Sequence, residues 1–118
     1  MDTRAKIITT EQALARIEQG GANLLIVTGY FDPILADHAA RIAESARGGA
    51  EVIAFVAEPS QPLLPLAARL EIVAALRGVS AVAPAPASLE AKALRFEEQD
   101  LKTREAFLDR VRERAALA

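Results

Sequence analysis

Ten residues, Gly29 to His38 (GYFDPILADH), hold most of what this chain could use for chemistry. Among them are the only histidine of the sequence, the carboxylates of Asp32 and Asp37, and the aromatic rings of Tyr30 and Phe31. A histidine near a helix start can donate to a phosphate oxygen, and the helix N-terminus adds free N–H groups and partial positive charge. Gly29 suits a tight turn off a strand, and the same lack of a side chain leaves room for a ligand. Tyr30 and Phe31 stand where a base or ribose could pack, although core packing accounts equally well for Phe31. Asp32 and Pro33 could shape a pocket, or simply act as N-cap and early-helix proline. Asp37 is too small a donor set for a divalent ion without a substrate's phosphates. A first-turn acid paired with Arg41 four residues on explains it. Arg69 could reach a phosphate from a later helix, or be a solvated arginine.

The elements that must position these residues are legible in the apolar pattern. NLLIVTG (Asn23–Gly29) and EVIAFVA (Glu51–Ala57) are unbroken apolar runs rich in β-branched residues, and VSAVAP (Val79–Pro84) is a shorter one. Such runs fit strands buried on both faces of a parallel sheet. Between the first two lies a stripe of alanines, Ala36, Ala39, Ala40, Ala43 and Ala46. Between the second and third, Leu66, Leu70, Val73 and Leu76 recur at helical steps after Pro65. An earlier helix spans Thr10 to Glu18 and starts at the Thr9–Thr10 pair. Strand alternating with helix predicts an α/β fold of three layers, with Val27 and Val56 on adjacent central strands and Gly29 at a strand's C-terminal end. A fourth strand at Leu94–Glu97 is weakly signalled. The charged tail reads as a last helix capped by Asp100, with one apolar docking stripe of Leu101, Leu108, Val111 and Ala115.

Composition narrows the function further. The 118 residues fit one domain, 52% hydrophobic and 25% charged, with a formal net charge of −2. That balance gives no electrostatic case for a nucleic-acid partner, which needs a concentrated basic surface. Cysteine is absent and histidine is single, so thiolate chemistry and multi-histidine metal sites are excluded. No run approaches the roughly 18 apolar residues of a membrane span. The N-terminal stretch lacks the pattern of a signal peptide. A cytoplasmic location is the expectation.

The segment from Lys6 to Ala57 resembles the opening of cytidylyltransferase-like nucleotidyltransferases. It is most similar to heptose-phosphate adenylyltransferases and glycerol-phosphate cytidylyltransferases. Their pattern is a buried strand, G-x-F-D-x-x-H-x-G-H, then a helix, and Gly29, Phe31, Asp32 and His38 fall on it. Leu64–Ala85 is similar to the family's next helix and strand, including Arg69 and Arg77. The resemblance covers roughly residues 5 to 85. It implies a truncated Rossmann-like parallel sheet with a C-terminal helix, binding ATP or CTP at the strand ends, with magnesium accompanying the nucleotide if the site is active. It implies His38 as the catalytic residue and Thr28, Gly29, Tyr30, Phe31, Asp32 and Arg69 as the nucleotide-binding set. It also implies a homodimer. The chemistry would be attack of a substrate phosphate on the α-phosphorus, governed by positioning and charge stabilisation.

Two departures weigh against that chemistry. Leu35 stands where the family has its first histidine, and Asp37 where it has glycine. At an effective dielectric of 20, like charges ~5 Å apart repel by about 3 kcal/mol. A lost histidine donor costs another ~3 kcal/mol by analogy with oxyanion donors. Together these correspond to chemistry on the order of 10⁴-fold slower. The family's lysine-bearing loop after the second strand and its C-terminal phosphate motif are missing too, with Thr103 only a faint echo. The sequence therefore reads as a degenerate nucleotidyltransferase-like domain, catalytically impaired and with nucleotide binding still open to it. The alternatives are an active enzyme for CTP or ATP with a sugar or polyol phosphate, and a non-catalytic interaction module.

Overall fold

A computed structural model describes residues 2–20, 23–32, 36–89 and 93–117, with backbone alone at 36, 37, 45, 98, 99, 103 and 117. A short 3-10 helix (Thr3–Lys6) leads into α1 (Thr10–Gln19), β1 (Leu24–Gly29), α2 (Ala36–Ala46) and β2 (Glu51–Val56). These are followed by α3 (Leu66–Ala74), β3 (Ala81–Pro84), β4 (Leu94–Arg95) and α4 (Glu97–Leu117). The strands form one sheet in the order β3-β2-β1-β4, every pairing parallel. Strands β1 and β2 are its centre, with Gly29 opposite Val56. The expected parallel pairing of the two apolar runs is therefore present, and Gly29 ends its strand.

The alternation of side chains along the strands divides the core in two. Val27, Ala54, Val56 and Val82 face Ile42 of α2 and Leu70 and Val73 of α3, with Phe31 and Phe96 packed among them. Ile26, Ile53, Phe55, Ala81 and Ala83 face the other way, toward Ala13, Leu14 and Ile17 of α1. Both faces of β2 are covered, which explains why its sequence is continuously apolar rather than alternating. A capping box starts α1: Thr9 Oγ1 accepts from Gln12 N at 3.1 Å, and the Gln12 side chain accepts from Thr9 N at 2.9 Å. The Thr9–Thr10 start signal is thus a real cap.

The tail departs from expectation. Helix α4 begins at Glu97, so Asp100 lies in its first turn and is not its N-cap. The apolar stripe does not dock along the helix either. Leu101 and Val111 are 45% and 49% exposed, and from residue 109 to 116 every side chain is exposed. At 1.5 Å per residue, 21 residues make a rod of about 31 Å. Its projection accounts for overall extents of 53 × 29 × 28 Å. Arg104 and Leu108 are half-buried, with Arg104 Nη2 donating to Gln61 O at 2.7 Å, and beyond them no described element covers the helix.

Candidate functional site

The strand order reverses direction between β1 and β4, and in open α/β sheets ligands bind at the C-terminal strand ends of such a switch point. Gly29, Tyr30, Phe31, His38, Phe96 and Asp100 converge here. Phe31 leaves β1 with φ 49°, the left-handed region that costs a bulky residue roughly 1–2 kcal/mol. The strained turn puts its ring into the core, where it meets His38 edge-on at 5.5 Å and Phe96 at 6.3 Å between centroids. Those contacts are what hold the turn.

The carboxylate of Asp100 is the centre of the cluster. Its Oδ2 accepts from the backbone N–H of Tyr30 at 2.8 Å and of Phe31 at 3.4 Å. Its Oδ1 accepts from Nε2 of the buried His38. An anion therefore sits on two loop N–H groups and an imidazole, as a phosphate oxygen would. Here the anion belongs to the chain itself. A Cβ built on Gly29 would lie 2.8 Å from Asp100 Oδ2 and 2.9 Å from Phe31 Cζ. The space that a glycine here offers to a ligand is filled by these two side chains.

The other sequence-selected residues are also engaged. Asp32 is buried and accepts from Leu63 N at 2.6 Å and Leu64 N at 2.8 Å, so it fastens the loop after β2 to the loop after β1. Arg69 is fully buried, where a solvated arginine was the simple expectation. Its Nε donates to Leu64 O at 3.1 Å and Nη1 to Tyr30 O and Ala57 O at 3.2 and 2.9 Å. Its Nη2 pairs with Glu58 at 2.5 Å. A guanidinium with these partners collects the carbonyl oxygens of two adjacent strand-end loops, a role that its planar fork fits. Thr28 is buried on β1, and its hydroxyl has no hydrogen-bond partner among the described residues. Tyr30 is half-buried.

Pro33 and Leu35 lie outside the described residues, as do the side chain of Asp37 and with it the expected pairing with Arg41. The Arg41 guanidinium carbon is 4.7 Å from the centre of the Phe96 ring. Among the described residues no cluster of three His, Asp or Glu side chains is placed to hold a metal ion. None of the described helices is long and apolar enough to cross a membrane.

Sequence reasoning missed Asp100 and Glu58 as members of this cluster. Glu58 has no local signal. Asp100 has a faint one, because it lies four residues after Phe96, and i,i+4 neighbours share a helix face. An apolar residue at 96 pointing inward carries position 100 with it. Neither a family model nor a curated protein sequence matches this chain.

Proposed function

We propose that this chain is a nucleotidyltransferase-like domain that carries out no nucleotidyl transfer and works as a non-catalytic interaction module. The observation that carries the reading is the Asp100 carboxylate bonded to Tyr30 N, Phe31 N and His38 at the end of β1. A triphosphate there would have to displace a buried carboxylate from its donors. It would then lie beside the negative charge of that group. Arg69, the cation of the predicted nucleotide set, is already bonded to three carbonyls and Glu58. The Leu35 departure removes a donor in the same direction.

Calorimetric titration with ATP and CTP in the presence of magnesium tests the reading. The parent protein should give no saturable binding, and incubation with sugar or polyol phosphates should give no pyrophosphate. The double variant Leu35→His/Asp37→Gly should gain nothing while Asp100 remains. Tight triphosphate binding by the parent, or turnover abolished by His38→Ala, would overturn it.

A further inference from the structure

The exposed part of α4 carries apolar residues at heptad spacing. Taking Leu101 as position a of a heptad, the a and d positions are Leu101, Arg104, Leu108, Val111 and Ala115, a 3-4 spacing that forms one seam on a helix. Leu101 and Val111 are about half exposed, and Phe107 beside the seam is 37% exposed. Leu101, Arg104, Glu105, Leu108 and Arg112 line an open groove that runs along one side of this face, where Arg104 Nη2 donates to Gln61 O at 2.7 Å. Glu105 and Arg112 stand at successive e positions with opposite charge, and Arg112 Nη1 also donates to Asp109 Oδ1 at 3.3 Å on the exposed side of the helix.

We propose that this seam pairs with the same seam of a second copy, the two α4 helices running antiparallel. In that arrangement Leu108 of each copy stacks on Val111 of the other, and Arg104 lies level with Ala115. The e positions then face each other, so Glu105 meets Arg112 twice across the two-fold axis. A parallel pair would instead set Glu105 and Arg112 a full heptad apart. It would also bring both sheet bodies to the same end of the rods. The antiparallel pair puts them beyond opposite ends, where the 31 Å length of α4 keeps them from colliding. Two seams of this length bury an area near the floor for a specific interface, on the order of 1,000 Å² in total. The charge pairs therefore decide orientation and partner. The proposal rests on the interaction-module reading in taking α4 as the working surface.

Sedimentation of the full chain tests it with two single charge reversals. The parent should pass from monomer to dimer as concentration rises. Glu105→Arg and Arg112→Glu should each weaken self-association by about tenfold or more, since each places like charges together twice. An equimolar mixture of the two variants should associate as tightly as the parent, because the mixed antiparallel pair restores both attractions. Circular dichroism should show the helices unchanged in each. A parent that stays monomeric at the highest attainable concentration overturns the proposal. Single variants that associate like the parent, or a mixture without rescue, overturn it as well. Nucleotide binding to a parent that still dimerises would remove only the closed-site reading.

Discussion

The two ends of α4 sit in opposite environments. Its first turn, with Phe96 just before it, supplies Asp100 to the mouth of β1, where the polar side chains are buried: Asp32, Arg69, His38 and Asp100 all have partners within the chain. Its distal half presents Phe107, Val111 and a run of arginines to solvent. Chemistry-bearing residue types thus cluster where the fold has already used them to knit loops together. The exposed apolar side chains of Phe107 and Val111 lie about 10 and 16 Å further along the same helix, at 1.5 Å per residue. A residue's capacity for chemistry and its availability for chemistry are separate properties, and burial with satisfied partners removes the second.

The contrast can be broken most severely at Arg69. Arg69→Leu leaves the carbonyls of Tyr30, Ala57 and Leu64 without their buried donor and should destabilise the fold by about 3–5 kcal/mol, read by urea denaturation. Survival of that variant within 1 kcal/mol of the parent, taken as roughly the scatter of ordinary mutations, would return Arg69 to the ligand-binding role. Asp100→Ala should cost about 2–4 kcal/mol, because two loop N–H groups and His38 lose their acceptor together. In the same variant the mouth of β1 is emptied of its anion, so inorganic phosphate or ATP should raise its melting temperature while leaving the parent's unchanged.

Gly29→Ala should cost about 1–3 kcal/mol through overpacking against Asp100 and Phe31. The double variant Gly29→Ala/Asp100→Ala should cost less than the sum of the two singles, as expected of residues in contact. Thr28→Val moves the other way. It removes a buried hydroxyl that has no partner among the described residues, with a nearly isosteric side chain, and should stabilise the protein by about 1 kcal/mol in the same denaturation experiment. The smallest effect belongs to the distal helix. Val111→Ser should change the stability of the monomer by no more than about 0.5 kcal/mol, as for an ordinary surface site. Its consequence should appear only in self-association.

Much of the architecture was legible in the sequence because it follows from short-range rules. The runs at residues 24–29 and 51–56 are strands buried on two faces, and continuous β-branched runs of that length suit little else. Thr9 with Gln12 is a capping box, and Leu66, Leu70 and Val73 share a helix face. The weak fourth strand is two residues long, and its signal was weak for that reason. The resemblance of Gly29–His38 to a nucleotide site named residues that do come together: Gly29, Phe31 and His38 converge at the mouth of β1.

What those residues touch was not in the sequence. Asp100 is one acid in a tail of alternating charges, and its local context suits an N-cap as well as a buried acceptor. Only the passage of β4 beside β1 brings it next to residues some 70 positions earlier. Arg69 likewise reads as a surface arginine until α3 packs on the sheet and sets its guanidinium between two loops. Helical periodicity found the seam of α4, yet periodicity states which residues share a face and not what lies opposite. Local sequence determines the elements and their faces, because backbone geometry and apolar pattern act over a few residues. Which side chain fills the space beside Gly29, and which apolar face is left bare, depends on distant segments meeting, and only the tertiary structure decided that.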